Sequence, residues 1–135
     1  MPIEFTADMF QAVEEEWGLV TRLDAPSTEE EDFYLMLQRA DEFDAQDVAL
    51  GMDKYYIEFC GQGLSWYGHL ERFDLRRTEI RVLMDAFARE EKEMDGVVIV
   101  HFDLDDQQFR HLRQCVERTF EGFPVLHIDQ HATAV

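Results

Sequence analysis

A chain of 135 residues can form one domain with a sizeable core, and 46% hydrophobic with 13% aromatic content excludes global disorder. A formal charge of −18 argues against direct binding to nucleic acid or an anionic membrane, because phosphates repel it. The charge is lopsided: residues 1–53 carry 15 acids against 2 bases, and residues 54–135 carry 15 against 10. That asymmetry favours a basic partner and fast association; solubility alone is the competing account.

The N-terminal MPIEFTADMF has no basic region followed by an apolar run, and no stretch approaches the ~18 consecutive apolar residues of a membrane span. Both point to a cytoplasmic protein. Cys60 and Cys115 lie far apart without a C-x-x-C pattern and read as reduced, half-buried thiols.

Ile3 to Thr6 predicts a strand, and Met9 to Val13 an extended segment, with a helix over 8–17 as its competitor. Glu14-Glu15-Glu16 predicts a solvated turn. Trp17 to Leu23 alternates as a strand, with Trp17, Leu19, Thr21 and Leu23 on one face. Residues 24–32 form a polar, acidic loop. Phe33 to Arg39 predicts a strand, and residues 40–53 a connector with one helical turn near Gln46–Leu50.

Lys54 to Cys60 and Leu64 to Leu75 are extended runs around Gly61-Gln62-Gly63, a hairpin signal. Alternation puts Tyr55, Ile57 and Phe59 on a core face. Gly68 marks a bulge or a close backbone approach within the second run. Arg76-Arg77 is a turn, and Thr78 to Met84 a strand with Ile80, Val82 and Met84 on one side. Ala86 to Met94 is a charged helix with Phe87 as its main apolar anchor, ended by Asp95-Gly96. Val97 to Phe102 is a buried strand.

The best-defined element is a helix from Asp106 to about Glu121. Asp105 is its N-cap, Gln108 completes a capping box, and Leu104 with Phe109 forms a hydrophobic staple. Phe109, Leu112, Val116 and Phe120 make an apolar stripe, while Gly122 and Pro124 terminate the helix. Val125, Leu126 and Ile128 offer an edge strand. The predicted fold class is α+β: an antiparallel β-sheet of about six or seven short strands packed against a C-terminal α-helix. One domain spans 1–122, with a tail at 123–135.

Catalytic motifs are wanting. His127 and His131 have i, i+4 spacing but lack the Glu of H-E-x-x-H. His101 reads as a hydrogen-bonded structural residue. Ser27 and Ser65 stand outside any G-x-S-x-G. The acids at 103–106 lack the D-x-D-x-D-G order of a calcium loop, and helix capping explains them. Neither a metal nor a cofactor is predicted, and no enzyme activity.

Three stretches carry a resemblance: Tyr34-Leu-Met-Leu-Gln-Arg39; Gln46 through Phe59, continuing in Gly61-Gln-Gly63, Tyr67-Gly68 and Leu70-Glu71-Arg72; and Phe102-Asp-Leu-Asp-Asp-Gln-Gln-Phe109. Together, over about Ile3 to Gly122, the chain resembles the immunity protein 10 family of bacterial polymorphic toxin systems. Cys60 and Leu64-Ser65-Trp66 are local departures at the hairpin turn. The resemblance implies a small cytosolic antidote, encoded beside a toxin, that acts by stoichiometric binding. An acidic surface suits a basic toxin, nucleases especially. The expected partner-binding residues are Glu29, Glu30, Glu31, Asp32, Asp41, Glu42, Asp44 and Asp47, with Trp66 or Tyr67 as aromatic anchor. Two other classes compete: a small enzyme using Asp, Glu or His, which requires a deep pocket, and a ligand-binding or structural homodimer joined through strand edges.

Overall fold

A computed structural model describes residues 3–26, 33–60 and 64–129. In sequence the elements are β1 (Ile3–Ala7), β2 (Met9–Glu15), β3 (Gly18–Asp24), β4 (Tyr34–Ala40), α1 (Ala45–Ala49), β5 (Tyr56–Phe59), β6 (Ser65–Tyr67) and β7 (Leu70–Leu75). There follow β8 (Glu79–Met84), α2 (Ala86–Glu91), β9 (Val97–Phe102), α3 (Asp106–Thr119) and β10 (Leu126–Ile128).

The architecture is α+β and mostly sheet, with the C-terminal helix in place. The strands form two five-stranded sheets, ordered β1-β9-β8-β7-β10 and β2-β3-β4-β5-β6. The ten strands exceed the expected six or seven because each extended segment read from the sequence, the edge segment at 126–128 included, forms a strand and one run divides. That run is Leu64 to Leu75. Gly68 and His69 both adopt left-handed backbone, at φ 79° and 66°, and turn the chain from the second sheet into the first. A Cβ on Gly68 would lie 2.8 Å from the Lys54 Cδ, so the glycine permits a close approach at a corner between sheets.

Pairing is antiparallel except at the two edges of the first sheet, where β1 runs parallel to β9 and β10 parallel to β7. Parallel neighbours need long connections. Here most of the chain separates β1 from β9, and β8, α2, β9 and α3 separate β7 from β10.

Alternation places the core as expected over much of the chain. Leu19, Thr21 and Leu23, then Tyr55, Ile57 and Phe59, then Ile80, Val82 and Met84 are buried, whereas Trp17, expected on the face of Leu19, lies in the turn before β3 and is exposed. One hydrophobic cluster joins the inward faces of both sheets to Phe109, Leu112, Val116 and Phe120 of α3. The α3 N-terminus has the full capping box, with the Asp105 side chain accepting from the Gln108 amide at 2.8 Å and Gln108 Oε1 accepting from the Asp105 amide at 3.1 Å. Gly122 follows the helix at φ 86°.

Two local expectations are corrected. Glu14 and Glu15 belong to β2 rather than to a turn, because β2 pairs with β3 through Glu15↔Gly18. Phe87 does not anchor α2. Ala88 is the residue that α2 buries, while Phe87 is exposed and stacks on the His69 ring at 4.6 Å. The loop acids Glu29, Glu30, Glu31 and Asp32 lie outside the described residues, as does Gly61-Gln62-Gly63.

Gly18 begins β3 against the end of β4. A Cβ there would stand 2.1 Å from the Arg39 carbonyl oxygen and 2.8 Å from the Ala40 Cα, both backbone atoms that cannot swing aside. Gly18→Ala should therefore lower the unfolding free energy by about 3 kcal/mol, the upper end of ordinary overpacking. Urea denaturation measures it, and a loss below about 0.5 kcal/mol would show that the two strands separate freely.

Candidate partner-binding face

The two sheets present different outer surfaces. On the first sheet the outward charges are largely matched. Arg81 donates to Glu79 at 2.9 Å, Arg72 to Asp74 at 2.7 Å, and His101 Nε2 lies 2.6 Å from Glu4. Arg81 holds the Glu79 carboxyl below its ordinary range. His101 thus bonds a carboxylate, but at the surface.

On the second sheet α3 packs against β2, β3 and β4 from the inner side. The opposite face carries cross-strand rows fixed by the register. One row runs Val13, Val20, Gln38, Tyr56, Tyr67. The next runs Gln11, Arg22, Met36, Glu58, Ser65. Glu58 accepts from the Tyr56 hydroxyl at 2.6 Å and also from the Tyr34 hydroxyl, while Arg22 pairs with Asp24 at 3.0 Å and lies 4.6 Å from the centre of the Tyr34 ring. The two charges of that second row are thus partnered by residues of the neighbouring rows. Burial, and then the bond to Glu58, push the Tyr56 hydroxyl above its ordinary value, so it stays a neutral phenol at physiological pH.

The first row ends in a cleft of about 120 Å3 lined by Trp17, Phe43, Asp47, Met52, Tyr56 and Tyr67. Trp17 projects from the β2–β3 turn and is 47% exposed. Its carbonyl accepts from the Asp41 amide at 2.8 Å, which ties the turn to the start of the connector. Tyr67 is 37% exposed and packs on Tyr56 with ring centres 5.0 Å apart. Val48 and Leu50, in and just after α1, are also exposed. Exposed apolar residues grouped in this way mark interaction sites more often than scattered ones do.

The expected acids fall into distinct roles. Asp41 bonds Arg118 at 2.7 Å, and Arg118 also donates to Glu14. Those two carboxylates, Glu14 first, hold the guanidinium above its ordinary value. Asp44 is the N-cap of α1 and accepts from the Asp47 amide at 2.8 Å; Asp47 reciprocates at 3.0 Å. Glu42 is exposed, with no hydrogen-bond or ion-pair partner among the described residues. Asp41, Glu42, Asp44 and Asp47 thus lie along one connector, with Asp47 in the cleft.

Of the two aromatic anchors, Trp66 is corrected. It is 6% exposed and packs on Phe59 at 5.8 Å, because strand alternation turns it inward where Tyr67 turns out. Trp17, Phe43, Met52 and Tyr56 were missed. A signal was present for Phe43 and Met52, apolar residues set among acids in a connector without helical or strand periodicity, whereas Trp17 and Tyr56 lie in runs that alternate as strands.

A larger, open groove of about 630 Å3 lies elsewhere, between β2 and α3. Gln107, Arg110, His111 and Gln114 line its helix side and Phe10 its strand side, and it contains no carboxylate. Among the described residues, no cluster of three His, Cys, Asp or Glu has metal-binding geometry, and no helix is long and apolar enough to cross a membrane. Cys60 is half-buried and Cys115 buried, and burial pushes the Cys115 thiol above its ordinary value.

No curated protein and no solved structure gave a significant match to this chain. The family model for immunity protein 10 matches residues 6–110, a span that takes in the whole second sheet, the connector acids and the aromatic cleft. By that match the chain belongs to the immunity protein 10 family.

Proposed function

We propose that this protein neutralises a cognate toxin by stoichiometric binding, with the open face of the second sheet as its docking surface. Membership of an immunity-protein family implies a toxin partner. The observation that carries the choice of face is the contrast between the sheets. One outer surface is stitched by ion pairs, whereas the other exposes Trp17 and Tyr67 beside the connector acids. Exposed aromatics supply binding energy, and flanking carboxylates accelerate encounter with a positive partner. The partner is accordingly a basic toxin, a nuclease being the class that best fits, and the protein acts in the cytoplasm as an inhibitor rather than as an enzyme.

The test is capture of the toxin encoded by the adjacent open reading frame. Asp41 is a poor site for charge reversal, because it pairs with Arg118. A cleaner variant combines Glu42→Lys with Asp44→Asn and Asp47→Asn, since asparagine keeps an oxygen for the α1 caps. Its affinity should fall about 10- to 100-fold, mainly through slower association, and the difference should shrink with salt. Unchanged association at low salt with the fold intact would remove the acidic rim from the interface. Homodimerisation through β2, whose outer edge pairs with no described strand, is the other reading. Mass measured across a concentration series separates the two.

A further inference from the structure

We propose that the cleft bounded by Trp17, Phe43, Asp47, Tyr56 and Tyr67 receives the guanidinium of one arginine side chain of the bound partner. This rests on the docking face assigned above and specifies what enters it.

Size narrows the occupant first. Small-molecule pockets commonly enclose about 300–1,000 Å3. A cleft of about 120 Å3 suits the end of a single side chain. Wall chemistry narrows it again. Four aromatic residues line the cleft; aromatic faces attract a cation, and the flat, weakly hydrated guanidinium stacks on them better than an ammonium does. Asp47 supplies the counter-charge. Its Oδ2 accepts the Asp44 amide, and a carboxylate has acceptor capacity beyond one such bond.

The surrounding charge agrees. Residues 39–54 hold five acids and two bases. Both bases already have partners, although Lys54 itself lines the cleft. Arg39 donates to the carbonyls of Thr119 and Glu121 at 3.1 and 2.8 Å, closing the C-terminal end of α3. Lys54 lays its stem beside Gly68, and its ammonium sits 3.8 Å from Asp53. The protein also uses this pairing internally, with the Arg39 guanidinium 5.4 Å from the centre of the Phe43 ring.

The experiment needs no toxin. The intact protein is titrated with Nα-acetyl-arginine amide, its citrulline analogue, which is nearly isosteric but uncharged, and its lysine analogue, at constant ionic strength. Two-dimensional NMR follows the two indole N–H signals, Trp17 in the cleft and Trp66 in the core as internal control. The arginine derivative should shift Trp17 and leave Trp66 in place. Asp47→Asn should weaken that response about fivefold, whereas Lys54→Gln, which removes a like charge from the rim, should strengthen it about twofold. A merely structural Lys54 would not produce a gain. No shift at Trp17, an equal shift from the citrulline or lysine derivative, or indifference to Asp47→Asn overturns the proposal. Toxin capture in the pull-down would survive that result, so the two failures are distinguishable.

Discussion

Replacing Phe109 by alanine should lower the unfolding free energy by about 3–5 kcal/mol, the range for deleting a large buried aromatic. Phe109 is fully buried. Its ring stacks on Phe102 with centres 6.4 Å apart, and the Arg77 guanidinium lies 4.8 Å from its centre. Leu104 is buried on the other side of the N-cap, as the hydrophobic staple requires. The variant loses transfer free energy and leaves a cavity in a region held by capping and close packing, which collapses poorly. Arg77 keeps its bonds to the Leu104 carbonyl and Asp106, each 2.9 Å, so its loss is confined to the ring contact. Against a total stability of about 5–15 kcal/mol, such a loss unfolds a measurable fraction of molecules. Phe109→Leu should cost less than half as much, because it restores most of the volume. Urea denaturation of both variants decides the matter. A loss under about 1 kcal/mol for the alanine variant would mean that α3 is not fixed by its N-terminal packing.

The second large effect concerns the partner. Trp17→Ser with Tyr67→Ser should weaken toxin binding by about a thousandfold, since central aromatic hot spots are worth about 2 kcal/mol or more each. Both side chains are substantially exposed, and Tyr67 packs on Tyr56, which is itself only half-buried. Stability should therefore change by less than about 1 kcal/mol, and the loss should lie in faster dissociation rather than slower association. Salt dependence should match that of the unaltered protein, in contrast to the acidic-rim variant. Surface plasmon resonance at two ionic strengths separates these behaviours. Retention of affinity within about threefold would place the toxin on another face.

Much of the local structure is written in short-range pattern. The α3 helix combines an N-cap, a capping box, a staple, a 3–4 apolar stripe and a terminating glycine, all within one stretch, and each is a neighbour-to-neighbour effect. The inward sets Leu19, Thr21, Leu23 and Ile80, Val82, Met84 follow from alternation alone. A helical turn near Gln46–Leu50, found at Ala45–Ala49, and the family membership were also legible, the latter in the motifs from Gln46 to Arg72. Which strands become neighbours was not. β1 finds β9 across most of the chain, and nothing local to either segment encodes that meeting. Leu64 to Leu75 looks continuous because its break depends on the left-handed corner at Gly68 and His69, which serves two separate sheets.

The site divides in the same way. Asp41, Glu42, Asp44 and Asp47 stand out from composition, but composition does not say that Arg118 claims the first or that capping occupies the last two. Tyr67 and Trp66 are adjacent and look equivalent in the sequence; only the packed sheet turns one outward and seals the other against Phe59. Trp17 joins Tyr67 because β3, β4, β5 and β6 lie side by side and bring a turn near residue 17 to the cleft at the end of their shared row. Charge, caps and alternation are properties of a residue and its near neighbours. A binding surface is a property of distant segments held together, and it comes into being when the sheet closes.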